Sequence, residues 1–326
     1  MAGKIEVGAQ LGPYTIKDVL GRGAQGVVYL ATAEGKEPAA IKVLRPDADE
    51  NARARFAREA ATARSLEHEG IVRVFEHGDG PDGVLWYAME RIAFANLERR
   101  VATLGPLEPR EAARLVATLA RATHYAHEKG VIHRDLKPSN ILLAHGSIYR
   151  PKIADFGLAL LAGGERLTQT NAFVGTPCYL APECMKGEKA SRASDVYALG
   201  AILYECLVGR PPFLAASIGA IIDKVLKESP MPPRRVKPLI PAPLERVCCQ
   251  CLEKAPGHRP PSAAAVATAL ERFLGAPPPS LISTERALEG FALARATLAK
   301  AFSFLFGLAV GGQIGFLLGL LLGRRP

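Results

Sequence analysis

The chain has 326 residues, 48% of them apolar and 22% charged, with a formal net charge of +9. That is enough for one large domain or two ordinary ones with a full core. The basic excess reads as scattered, solvated Lys and Arg; no nucleic-acid motif and no basic stripe interleaved with aromatics is present, so a nucleic-acid partner is not expected.

The first 11 residues carry no apolar run, so no secretory leader is expected. Residues 14–44 read as strands around a glycine turn: Tyr14-Thr15-Ile16, then Val27-Val28-Tyr29-Leu30, then residues 39–44. Residues 50–66 read as a helix with Phe56, Ala60, Ala63 and Leu66 on one face. A strand is expected at 84–89, and helices at 109–129, 194–208, 217–227, 242–252 and 262–274. The pattern is α+β, a small β-rich part followed by a larger α-rich part, ending near Gly275.

The six cysteines, Cys178, Cys184, Cys206, Cys248, Cys249 and Cys251, match no disulfide framework. Three of them crowd one helical turn, where they point to different faces, and no second Cys or His pair follows at zinc-finger spacing. Buried free thiols in a reducing compartment are expected.

Gly21-Arg22-Gly23-Ala24-Gln25-Gly26-Val27-Val28 fits G-x-G-x-x-G-x-V. A dinucleotide-binding turn runs from strand into helix. Here β-branched and aromatic residues follow, so the turn joins strand to strand. Lys42 sits among Ala40, Ile41, Val43 and Leu44, and Glu59 lies on the apolar helix face. A carboxylate turned toward a core is costly unless paired, and these two can satisfy each other.

The most informative stretch is His133-Arg134-Asp135-Leu136-Lys137-Pro138-Ser139-Asn140. Phosphoryl transfer to a hydroxyl needs such a set: a carboxylate for the alcohol proton, a cation for the moving group and an oxygen ligand for a metal. Asp155-Phe156-Gly157 follows, then Gly175-Thr176-Pro177, Ala181-Pro182-Glu183, Ser194-Asp195-Val196 and His258-Arg259-Pro260. Taken together, residues 11–275 resemble the eukaryotic-type Ser/Thr protein kinases.

That resemblance implies a bilobal kinase fold, with an N-lobe over 11–91 and a C-lobe over 92–275. It implies Asp135 as catalytic base and Lys137 beside the γ-phosphoryl. Lys42, paired with Glu59, would hold the α- and β-phosphates, and Asn140 and Asp155 would hold Mg²⁺ or Mn²⁺. ATP would lie against Leu20, Gly21, Arg22, Gly23, Ala24, Gln25, Gly26, Val27, Val28, Ala40, Met89, Leu142 and the backbone of Glu90 to Ile92. Asn96 would stand in for the ribose contact, because glycines common after the hinge are missing. Asp195 would brace the catalytic loop, and Arg259 would pair with Glu183. Lys137 and Thr176 favour serine or threonine acceptors over tyrosine. Two alternatives are a nucleotide-binding pseudokinase scaffold and a small-molecule kinase; intact Lys42, Asp135 and Asp155 weigh against the first, the 175–183 segment against the second.

Arg134 would receive a phosphate on the activation segment, where Thr168 and Thr170 resemble the autophosphorylated threonines of bacterial membrane-bound Ser/Thr kinases. Residues 276–300 read as a Pro-rich linker and juxtamembrane helix. Ala301 to Leu322 is 22 residues without a charge, about 33 Å as a helix, long enough to span a bilayer. Gly307, Gly311, Gly315, Gly319 and Gly323 form overlapping G-x-x-x-G units, which predict self-association in lipid. Only residues 323–326 lie beyond the span, so no external sensor is expected. The expected place is a bacterial inner membrane, crossed once, with the kinase domain cytoplasmic and proteins as substrates.

Overall fold

The computed structural model describes residues 5–23, 26–45, 48–80, 83–93, 95–156 and 177–275. The N-terminal part is one antiparallel sheet, β1 Gln10–Leu11, β2 Tyr14–Arg22, β3 Gly26–Thr32, β4 Ala39–Leu44, β5 Val74–Asp79 and β6 Leu85–Glu90, in the order β1-β2-β3-β4-β6-β5. All six residues of β4 are buried, so both faces are covered. Period-2 alternation sends Ile41 and Val43 to a cluster with Leu11, Tyr14, Ile16, Tyr29 and Trp86. Ala40 and Leu44 face the other way, against helix α1, Glu50–Arg64, through Phe56, Ala60 and Ala63. Lys42 shares that second face by the same alternation. Asp49 starts α1 by accepting a hydrogen bond from the N–H of Ala52.

The C-terminal part is helical: α2 Leu97–Leu104, α3 Pro109–Glu128, α4 Pro182–Met185, α5 Arg192–Val208, α6 Ile218–Lys227, α7 Pro233–Val236, α8 Ala242–Cys251 and α9 Ala263–Gly275. Helix α5 is buried on every side from Ser194 to Val208, as befits a central helix, with Asp195 and Glu205 among its buried residues. Ser191 and Ser194 form a capping box at its start, and Gly209, with φ 92°, ends it in the left-handed region. Gly200 lets α8 approach closely: a Cβ there would stand 2.4 Å from that of Cys251. All six cysteines are free thiols.

A small two-stranded sheet, β7 Ile141–Leu143 and β8 Pro151–Ile153, lies at the junction of the two parts. Ile153 donates from its N–H to Gly70 O (2.8 Å) and accepts at its carbonyl from Val72 N (2.9 Å). The loop after α1 is thereby stitched to β8. Among the described residues no helix is long and apolar enough to cross a membrane. The 301–322 span and the linker before it lie outside the described residues.

Candidate active site

The structure brings Lys42 together with two carboxylates. Its Nζ stands 2.9 Å from Glu59 Oε1 and 2.9 Å from Asp155 Oδ1. Tyr87 donates its hydroxyl to the same Glu59 oxygen at 2.7 Å. Lys42 is only 5% exposed and Glu59 3%, so water does little to screen them. Burial works against the Lys42 ammonium, but Asp155, Tyr87 and Glu59 outweigh it and hold its pKa well above the usual lysine value. Burial raises Asp155 too, yet Lys42 overcomes it and keeps that carboxyl below the usual range. Glu59 goes the other way: burial wins over Lys42 and pushes its pKa up. Asp155 therefore stays ionised most firmly.

Residues 133–140 are held from several sides. Asp195 Oδ2 accepts from His127 Nε2 (2.7 Å) and from the N–H of His133 (2.9 Å), and its Oδ1 accepts from the N–H of Arg134 (3.0 Å). His133 Nε2 donates to the carbonyl of Ala154 at 3.0 Å, which leaves Nδ1 to accept from the N–H of Asp135 at 3.3 Å. Arg134 (φ 72°) and Asp155 (φ 60°) are the non-glycine residues at positive φ among those described. Such strain persists only where surrounding bonds over-determine it, and here one carboxylate and one imidazole do so. The result sets Asp135 Oδ2 at 2.7 Å from Lys137 Nζ, with Asn140 Nδ2 donating to Asp135 O at 2.8 Å. Asp135 keeps a 38% exposed side chain, open to an incoming group.

The glycine turn joins β2 to β3, with Gly21 opposite Val28 and Arg22 opposite Val27. Its glycines differ. A Cβ on Gly26 would lie 2.0 Å from Val43 O, whereas one on Gly21 would meet nothing within 4 Å. Below the turn, Val28, Ala40, Met89, Ile92, Leu142 and Ala154 share one apolar cluster. Leu20 is not among them and is 47% exposed. Ala24 and Gln25 lie outside the described residues. Asn96 is engaged within the protein: its Oδ1 caps α2 through the N–H of Arg99 (2.9 Å), and its Nδ2 donates to Ser139 O (3.3 Å).

Farther down, Arg259 makes a fork on Glu183, with both N···O distances 2.7 Å, and also donates to the carbonyls of Glu253, Ala193 and Lys254. Its guanidinium stacks 5.0 Å from the Tyr197 ring centre. Thr168, Thr170 and Thr176 fall in 157–176, and the glycine stripe from Gly307 to Gly323 falls after 275; both lie outside the described residues.

The description of the protein kinase domain matches residues 14–270. The chain belongs to that family. Over 267 residues it is 38% identical to the serine/threonine-protein kinase PknB of Mycolicibacterium smegmatis, a match that covers 79% of this chain and 42% of that protein. It is 37% identical over 268 residues to the serine/threonine-protein kinase PknD of Mycobacterium tuberculosis, covering 81% of this chain and 40% of the relative. The chain thus spans less than half the length of these curated relatives. A crystal structure of Rad53 residues 1–466 in complex with AMP-PNP superposes with a TM-score of 0.67 at 25% identity, covering 79% of this chain and 64% of that one.

Within this kinase domain some partners escaped the sequence reading. His127, on the last turn of α3, had no motif to mark it, and Tyr87 looked like any strand aromatic. The link from Lys42 to Asp155 joins residues 113 positions apart. Lys152 Nζ meets Glu90 Oε2 at 2.7 Å, a pair with no local signature.

Proposed function

We propose that this chain is an ATP-dependent Ser/Thr protein kinase that moves the γ-phosphoryl of ATP to serine and threonine hydroxyls of proteins. One observation carries the reading: Lys42, Glu59 and Asp155 on one side and Asp135, Lys137 and Asn140 on the other are joined through the Ala154 N–H to Asn140 O bond of 2.9 Å. Three carboxylates, two lysines and an amide thus converge where a triphosphate meets an alcohol.

In this reading Asp135 orients the substrate hydroxyl and takes its proton as the oxygen bonds to the γ-phosphorus. The bond from that phosphorus to the β–γ bridging oxygen breaks, and ADP leaves. Lys137 offsets charge on the moving group, and Lys42 leaves Asp155 to hold the α- and β-phosphates. Val28, Ala40, Met89 and Leu142 pack on adenine, and the backbone of Glu90 to Ile92 bonds its edge. Asn96 caps α2 with its Oδ1 and reaches Ser139 O with one N–H of its Nδ2, and the second amide hydrogen remains for the ribose.

A divalent cation fits the donor set. Asp155 is held ionised, and Asn140 donates with its nitrogen, leaving a hard amide oxygen. Asn140 and Asp155 would hold Mg²⁺ or Mn²⁺, which supplies neutralising charge to the triphosphate.

The finer parts of the reading concern residues outside those described. Ala301 to Leu322 anchors the chain in a bilayer with the kinase domain cytoplasmic, the glycine stripe pairs two copies, and Thr168 and Thr170 are autophosphorylated in trans. Their support is the uncharged 22-residue run, the four-residue glycine spacing and the placement of both threonines between Asp155 and Glu183.

The test is incubation of the full chain with γ-labelled ATP, Mg²⁺ and a generic basic protein, followed by phosphoamino-acid analysis. Phosphoserine and phosphothreonine in the acceptor and in the kinase itself support the reading. Binding of nucleotide without transfer supports the scaffold alternative.

A further inference from the structure

Glu90, the first hinge residue, is bonded through both backbone and side chain. Its N–H donates to Arg73 O at 2.8 Å, and its Oε2 accepts from Arg73 N at 3.4 Å and from Lys152 Nζ at 2.7 Å. Lys152 is on β8, where it pairs with Leu142 of β7, a member of the apolar cluster beneath the glycine turn. The next residue, Ile153, is bonded to Gly70 O and Val72 N, and Asp155 follows two positions later. Four segments therefore meet at the rear of the cleft: residues 70–73, the hinge, β7 and β8. Backbone bonds join 70–73 to β8 and to the hinge. The Glu90–Lys152 pair closes the remaining side, between hinge and β8.

We propose that Lys152 is a positioning residue for nucleotide: by holding the Glu90 carboxylate it fixes the hinge backbone over Leu142 in the arrangement that receives an adenine. The physical case is one of fit. Hydrogen bonds to a base edge lose strength steeply when donor and acceptor shift or tilt. After β6 the hinge belongs to no strand among the described residues, and its next backbone tie is the isolated bridge of Asn96 to Leu142. The pair restrains it with side chains that are 19% and 31% exposed, dry enough to persist and wet enough to be modest. A restraint that acts equally on bound substrate and transition state changes KM and leaves kcat alone.

This proposal rests on the nucleotide reading above. The experiment uses the full chain and two measurements, Mg-ADP binding by calorimetry and steady-state transfer from ATP to a protein acceptor. Lys152→Met is expected to weaken Mg-ADP about three- to fivefold and raise the ATP KM equally, roughly the worth of a half-dry ion pair. The kcat stays within about twofold, the KM for the acceptor protein does not move, and Lys152→Arg recovers most of the affinity. Glu90→Gln added to Lys152→Met brings little further loss, because the two act as one pair. If Lys152→Met does not fold, Lys152→Arg and Glu90→Gln give the same comparison. Nucleotide affinity equal to wild type in a folded Lys152→Met overturns the proposal. So does a faster kcat with unchanged or tighter nucleotide binding, which would make the pair a restraint on lobe motion. A wild type that binds no Mg-ADP overturns the nucleotide reading itself, and this pair with it.

Discussion

Lys42 and Asp155, 113 positions apart, meet at 2.9 Å, and the same ammonium also holds Glu59. One buried cation thus ties β4 to α1 and to the segment after β8. Removing it leaves two carboxylates facing each other. Glu59, already raised by burial, relieves the conflict by taking a proton. Lys42→Met is therefore expected to cost about 1–3 kcal/mol of stability but at least about 100-fold in kcat/KM. Thermal unfolding and initial rates on the same preparation check the split.

The glycines of the β2–β3 turn make separable predictions. Gly26→Ala drives a Cβ to 2.0 Å from Val43 O, and a strand backbone cannot yield that far cheaply; a loss of about 3 kcal/mol or more is expected. Gly21→Ala meets nothing within 4 Å. Its melting temperature should stay within a few degrees of wild type, while the KM for ATP rises because a methyl intrudes where phosphate would approach. Thermal scans beside ATP titrations distinguish the two.

The Arg259–Glu183 fork is fully buried on the arginine side and 7% exposed on the other. Arg259→Ala strands a carboxylate and three carbonyls, an expected loss of about 3–5 kcal/mol. Arg259→Lys should recover little of it, since one ammonium cannot serve a two-pronged acceptor. The urea midpoint at constant m-value measures both.

Asp195 bridges His127, His133 and Arg134 with two oxygens. Asp195→Asn replaces one acceptor by an NH₂ that faces donors. We expect about 2–3 kcal/mol of destabilisation and faster hydrogen exchange at the His133 and Arg134 amides, whose strained turn loses its anchor. Unchanged exchange there would count against the bracing role.

pH dependence follows from Glu59. Its pKa is raised in the folded state, so folded protein binds the proton at a pH where unfolded chain has released it. Stability therefore falls as pH rises through the window above the ordinary glutamate pKa, and is regained on acidification. Asp155 has the opposite sign: its depressed pKa contributes stability above the usual aspartate pKa that is lost only at lower pH. Subtracting the Glu59→Gln unfolding profile from wild type should reveal the first slope just above the ordinary glutamate pKa, with wild type gaining as pH falls. Activity should drop over the same range, because a protonated Glu59 no longer holds Lys42 as firmly.

Much of this was legible in the chain because the chemistry sits in short contiguous runs. The helix expected at 109–129 runs over Pro109–Glu128, and the strand expected at 39–44 is Ala39–Leu44. Strand β5 was missed because His77, Gly78 and Asp79 dilute its pattern, and β7 because three residues are too few for a period. Asn96, read toward the ribose, also takes the helix N-cap that an Asn before Leu-Glu-Arg-Arg signals, a second role the reading left out. His127 with Asp195 and Glu90 with Lys152 span 68 and 62 positions. No periodicity reports such pairs; only the packing of α3 on α5, and of the hinge on β8, brings them within reach.

The central claim is that Asp135 serves the transfer of a phosphoryl group to a protein hydroxyl. The most direct measurement is the initial rate of label transfer from γ-labelled ATP to a protein acceptor, wild type against Asp135→Asn, with Mg-ADP binding measured on both. A loss of at least about 1,000-fold in rate with nucleotide binding retained is the expected result. Equal rates in the two proteins would contradict it.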